Sequence, residues 1–173
     1  MSSLQIIELI AGHNPEGQPI VEKLPVRVLE HEGMEQMTAE KKAELGQFQL
    51  VKSPAFIKGL ASGDCINYLS EARDFKLVKR SGNLCIRVFC RGNIANLSDA
   101  LSPQLEKLGA EHDTETERML VFSAHVSLGF NAIEKILNDH IGEENDSIWM
   151  YGNVYQDDGQ TPLNWWQEVV GES

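Results

Sequence analysis

No stretch of this sequence approaches the ~20 consecutive apolar residues that a membrane-spanning helix needs. The opening segment, Met1-Ser2-Ser3-Leu4-Gln5-Ile6-Ile7-Glu8, has neither the basic nor the apolar region of a secretory signal, so the expectation is a cytoplasmic chain. Cysteine is scarce: Cys65, Cys85 and Cys90 are an odd number without a C-x-x-C pair. That excludes a disulfide framework and a cysteine zinc site, and suits a reducing compartment. Phosphate-cradling glycine loops, the G-x-S-x-G nucleophile elbow and the H-E-x-x-H metal helix are all missing, so no cofactor and no catalytic residue is implied. Cations are outnumbered as well, 15 Lys and Arg against 26 Asp and Glu, which leaves a net charge of −11. That balance argues against nucleic acid and anionic membrane as partners and suits a basic protein.

What is present is an ordinary globular composition, 42% apolar and 24% charged, over 173 residues, enough for one core or two small ones. Residues 4–12 lean to β structure. His13-Asn14-Pro15-Glu16-Gly17 reads as a turn, and Val21 to Leu29 as a second extended segment that Pro25 restricts to an edge or a bend. Residues 34–45 are rich in helix formers and read as a short helical insertion. Short strands are expected near Phe48, over 65–69 and over 75–79. Residues 1–80 are therefore expected to form a β-rich subdomain.

Residues 81–157 carry a different rhythm. Leu84, Ile86, Val88 and Cys90 share one face of a strand. Leu97, Leu101, Leu105 and Leu108 make an amphipathic helix stripe that contains Pro103 and is capped from Asn96 or Ser98. Ala110 to Glu115 comes next as a polar edge strand, and Leu120, Phe122, Ala124 and Val126 are the apolar side of another. Phe130, Ile133, Leu137 and Ile141 form a second helix, and Ile148, Met150 and Val154 the inner side of a last strand. The order strand–helix–strand–strand–helix–strand predicts a ferredoxin-like βαββαβ unit, hence an α+β protein with the β-rich subdomain packed on that unit. The tail, 158–173, is expected to dock through Trp165 or Trp166, since such rings bury ~150–250 Å² each.

The run Ser53-Pro54-Ala55-Phe56, Gly63-Asp64, Ser81-Gly82-Asn83, Ile86-Arg87-Val88 and Trp149-Met150-Tyr151 resembles a bacterial family of small proteins of unknown function. The likeness covers about residues 47–157, with Cys85 where that family usually has threonine and His125 where it usually has aspartate. Because the family has no established activity, the resemblance implies no site residue.

Period-two alternation places Arg87, Phe89, Ser123, His125, Trp149 and Tyr151 on the sheet face away from the helices, as a candidate ligand or partner face. Glu111, Asp113, Glu115 and Glu117 alternate along the polar edge strand and form a candidate acidic surface for a partner. Asp64 and Arg87 are a candidate ion pair between subdomains, although an Asp after Gly more often shapes a turn. His112 and His125 lie on neighbouring strands without the ligand spacing of a metal site, so no metal is expected. A Cys85–His125 dyad lacks any supporting motif. The function expected is a non-enzymatic binding protein, an inhibitor, immunity or regulatory factor with a protein partner. The alternative is a sensor holding an apolar or aromatic small molecule between subdomains.

Overall fold

A computed structural model of the chain describes residues 4–29, 47–156 and 160–169. The helical insertion expected over 34–45 lies outside them. The architecture is α+β, with nine strands among the described residues, in two antiparallel sheets. The chain divides into two compact units, Met1–Ser81 and Gly82–Ser173, each with its own apolar core. No helix among the described residues is long and apolar enough to cross a membrane.

The first unit is a five-stranded meander of β1 (Leu4–His13), β2 (Pro19–Leu29), β3 (Gln47–Leu50), β4 (Cys65–Leu69) and β5 (Asp74–Lys79), ordered β1-β2-β3-β4-β5. Asn14 builds the β1–β2 turn: its Oδ1 accepts the Glu16 and Gln18 amides. Ile7, Leu9, Leu24, Val26, Phe48, Leu50 and Ile66 bury one face, and Ile57 and Leu60 from the β3–β4 loop join them. The sheet rolls until its ends meet. The Ile10 amide donates to the Arg73 carbonyl at 2.9 Å and the Tyr68 hydroxyl to the Glu8 carbonyl at 2.9 Å. Pro25 corrects the sequence reading, for β2 lies inside the sheet between β1 and β3. Its carbonyl accepts from Val51, just beyond the end of β3, and the Val51 carbonyl that its missing N–H would have met accepts from the Ser62 hydroxyl at 3.1 Å instead.

The second unit runs β6 (Asn83–Cys90), α1 (Ile94–Leu108), β7 (Glu111–Glu115), β8 (Met119–His125), α2 (Phe130–His140) and β9 (Ser147–Tyr151). Its sheet order is β7-β8-β6-β9, with every neighbouring pair antiparallel. Leu97, Leu101 and Leu105 of α1 and Ile133 and Leu137 of α2 bury against Leu84, Ile86, Val88, Leu120, Phe122 and Ala124. The N-cap of α1 is Asn93, not Asn96 or Ser98: its side chain accepts the Asn96 amide at 3.0 Å. The tail tryptophans pack on this helix-side core, and the Trp165 indole N–H donates to the Asn153 carbonyl at 2.8 Å.

Candidate binding edge of the C-terminal sheet

The sheet of the second unit has two edges with opposite chemistry. At β7 the register slips between His112 and Thr114. Glu111 still pairs with Ser123 on the side away from the helices, but Glu115 pairs with Leu120 on the helix side, and Asp113 is the extra residue of the bulge. The acidic row expected along this edge is therefore split, because one inserted residue reverses every later side chain. Glu111 and Glu117 are exposed. The Asp113 carboxylate accepts a short hydrogen bond from the Ser123 hydroxyl, and the Glu115 carboxylate accepts from Ser98 at 2.9 Å.

Glu115 closes a polar seam between α1 and β7. Ser98 and Ser102 share a hydrogen bond at 3.2 Å, Ser102 reaches His112 Nδ1 at 3.3 Å, and His112 Nε2 lies 3.2 Å from the Thr114 carbonyl and 3.7 Å from Glu115. The imidazole stacks on Phe122, with ring centroids 4.8 Å apart. A serine, a histidine and a carboxylate thus meet where sequence spacing gave no sign of it. Ser102 is only 7% exposed on the buried side of a helix, and its oxygen is shared with Ser98, so the seam holds α1 to β7 and presents no accessible nucleophile.

The opposite edge, β9, overturns one expectation. Ile86 pairs with Tyr151 and Val88 with Trp149, so both aromatics stand on the helix side; Arg87 pairs with Met150 and Phe89 with Ile148 on the other. Met150 and Ile148 were expected inward and Trp149 and Tyr151 outward. The strand is apolar on both faces, so alternation alone does not choose a side. The ring polar ends choose it. The Trp149 indole N–H donates to Asn138 at 2.9 Å and the Tyr151 hydroxyl to Glu134 at 2.8 Å, both on α2. Burial, first, and the Glu134 carboxylate, second, push the Tyr151 pKa well above the ordinary phenol value.

Of the other residues expected on the far face, Arg87 and Ser123 are buried, together with Cys85 and Val121. That stretch is not an open groove. Gly152 presses on it: a Cβ there would lie 2.8 Å from Cys85 Sγ and 2.9 Å from the Arg87 guanidinium. His125 turns to the end of the sheet, where its Nδ1 meets the Ser127 hydroxyl at 2.7 Å and its ring lies against Gly82. The register sets Cys85 opposite Ser123 and not opposite His125, so the dyad geometry is not formed. Asp64 sits in the first unit. Its carboxylate accepts from the Ala61 amide at 3.0 Å, the Ser81 amide at 2.8 Å and the Ser81 hydroxyl at 3.0 Å. Burial raises its pKa above the ordinary carboxylate value despite those bonds. No cluster of His, Cys, Asp or Glu among the described residues is arranged to hold a metal.

Towards β9 the face is open and apolar. Ile148 is 60% and Met150 43% exposed, and Phe89 is half-buried. Beside them lies a cleft of about 490 Å³, lined by Phe89, Cys90, Arg91, Arg118 and Ile148 and bordered by Glu143 and Asp146. The Arg118 guanidinium is tied to the Arg91 carbonyl at 2.9 Å. Glu143, Glu144 and Asp146 are exposed and make no ion pair among the described residues. What joins these acids to β9 is a 3-10 turn, Glu143–Asn145, pinned by Asn145. The Asn145 side chain donates to the His140 carbonyl and accepts a short bond from the Ser147 hydroxyl.

Residues 35–149 match the profile of a family described as a domain of unknown function (DUF4265). A solved structure described as a novel crystal structure of a hypothetical protein from Neisseria gonorrhoeae is similar to this chain, with a TM-score of 0.57 and 18% identity. The similarity covers 88% of this chain and 94% of that one, and at this identity it speaks for the fold alone. No curated protein matches.

Proposed function

We propose that this chain, which belongs to the DUF4265 family of unknown function, is a non-enzymatic cytoplasmic binding protein that engages a basic protein partner through exposed carboxylates at the ends of its C-terminal sheet. The observation that carries this reading is the set Glu111, Glu117, Glu143, Glu144 and Asp146, exposed and without cationic partners among the described residues in a chain of net charge −11. Carboxylates beyond the C-terminus of α2 oppose its dipole, so helix stability does not account for them. The polar groups that resemble catalytic parts, Ser102, His112 and Glu115, are spent on packing. We read the C-terminal unit as ferredoxin-like; its element order and the sheet order β7-β8-β6-β9 support that.

The test is capture from lysate at rising salt, with wild-type chain and with charge reversals. A basic partner released between about 50 and 300 mM salt, and lost when Glu111, Glu117, Glu143 and Glu144 are changed together to lysine, is the expected result. Capture indifferent both to salt and to the reversal rejects the reading.

A further inference from the structure

We propose that β9 is a docking edge, and that its occupant is an extended segment of a partner protein, apolar at alternate positions and basic at one end, added to the sheet as a fifth strand. This rests on the binding-protein reading above and names how that partner is held.

Exposed strand edges invite pairing, and proteins guard them with bulges, charge, proline or closure. The described sheets do so everywhere but here. In the first unit β5 carries Asp74, Lys76 and Lys79, and β1 carries Glu8, a register shift between Ile10 and Gly12, and a bond from Ile10 to Arg73 just before β5. The β7 edge carries a bulge and three carboxylates within five residues. β9 reads Ser-Ile-Trp-Met-Tyr, with no charge, no proline and no bulge in its pairing with β6.

Two bonds fix which main-chain groups it presents. The Gly152 amide donates to the Cys85 carbonyl at 2.8 Å, and the Arg91 amide to the Asp146 carbonyl at 3.0 Å. Bonded pairs alternate along an antiparallel ladder, so Ile148 and Met150 spend their amides and carbonyls on β6. Those of Trp149 and Tyr151 point away from the sheet. The amide of Ser147, which shares their phase, is taken by the Gly142 carbonyl at 3.0 Å. An added strand therefore finds donors and acceptors at Trp149 and Tyr151. Its side chains on the far face meet the exposed ledge of Ile148 and Met150.

Charge selects the occupant. Glu143, Glu144 and Asp146 stand at the entrance of β9, so lysine or arginine at that end of the incoming strand gains partners. A second copy is the other possible occupant, and charge disfavours it. Antiparallel self-pairing would bring together two chains of −11 and set these acids opposite Gly152-Asn153-Val154, which holds no cation.

The probe is a synthetic peptide of three lysines and then alternating valine and threonine, added to the full chain while amide exchange is monitored residue by residue. Exchange at Trp149 and Tyr151 is expected to slow by about tenfold or more at saturation. The double variant E143K/E144K is expected to weaken binding about tenfold, and the charge-matched D99K/E106K, at exposed sites on α1, to leave it within about twofold. Ile148→Lys, at an exposed site that leaves the fold intact by circular dichroism, is expected to abolish protection. Protection at β7 instead, no protection at all, or protection of β9 in the free chain together with a dimer by gel filtration overturns the proposal. If the peptide protects nothing while captured partner still responds to salt and charge reversal, strand addition fails and the binding-protein reading stands. If capture ignores charge as well, both fail.

Discussion

Asp64 accepts three hydrogen bonds, from Ala61 and Ser81, and burial still holds its pKa above that of a free carboxylate. Its folded-state proton affinity therefore exceeds the unfolded one. The stability this adds is full below the unfolded pKa and is lost as pH rises through the folded pKa. Urea midpoints of wild type measured against Asp64→Asn should fall steadily as pH rises above about 4. A difference that grows with pH would mean the bonds outweigh burial. Asp64→Ala strands the buried Ala61 amide and should cost about 1–3 kcal/mol. Asn153 has a similar task in the second unit. Fully buried, it accepts the Cys85 amide at 2.9 Å and donates to the Asn83 carbonyl at 2.9 Å, which pins the chain after β9 to β6. Asn153→Ala should cost about 2–4 kcal/mol in denaturant melts.

At the scale of elements, β9 is aimed by Gly152 and Asn153, just past its end, as much as by its own residues. Gly152 allows the backbone to pass over Cys85 and Arg87 where a Cβ would intrude. Gly152→Ala should destabilise by about 1–3 kcal/mol, and Cys85→Ala in the same chain should recover part of that by removing the sulfur. A double-mutant cycle showing strict additivity would contradict the contact. The bulge in β7 is the matching device at the other edge. Nothing in Glu111-His112-Asp113-Thr114-Glu115 announces it, since bulges are set by pairing with β8 and not by a local residue type.

For the whole molecule the dominant fact is charge. At −11, self-repulsion opposes compaction, and raising salt from about 10 mM to 300 mM shortens the screening length from ~30 Å to below 10 Å. The melting temperature should rise by a few degrees over that range, and an unchanged value would mean that the acids are neutralised in pairs. Each unit also depends on its own apolar cluster. Leu24→Ala in the first and Leu101→Ala in the second should each cost about 2–5 kcal/mol, read first in amide exchange of strands of the same unit.

Much of this was written in the sequence. Leu84, Ile86, Val88, Leu120, Phe122 and Ala124 alternate with residues of other kinds, and the leucines of α1 recur at helical spacing, so these segments have one low-energy way to bury an apolar face. The charge, the scarcity of cysteine and the order of elements in the second unit were legible for the same local reasons. Tertiary structure alone decided the side taken by Trp149 and Tyr151, the break in the acidic row and the use of Asp64. In each case the local pattern permits two arrangements of nearly equal energy. Partners far along the chain, Glu134 and Asn138 on α2, Leu120 on β8 and Ser81 beyond β5, choose between them.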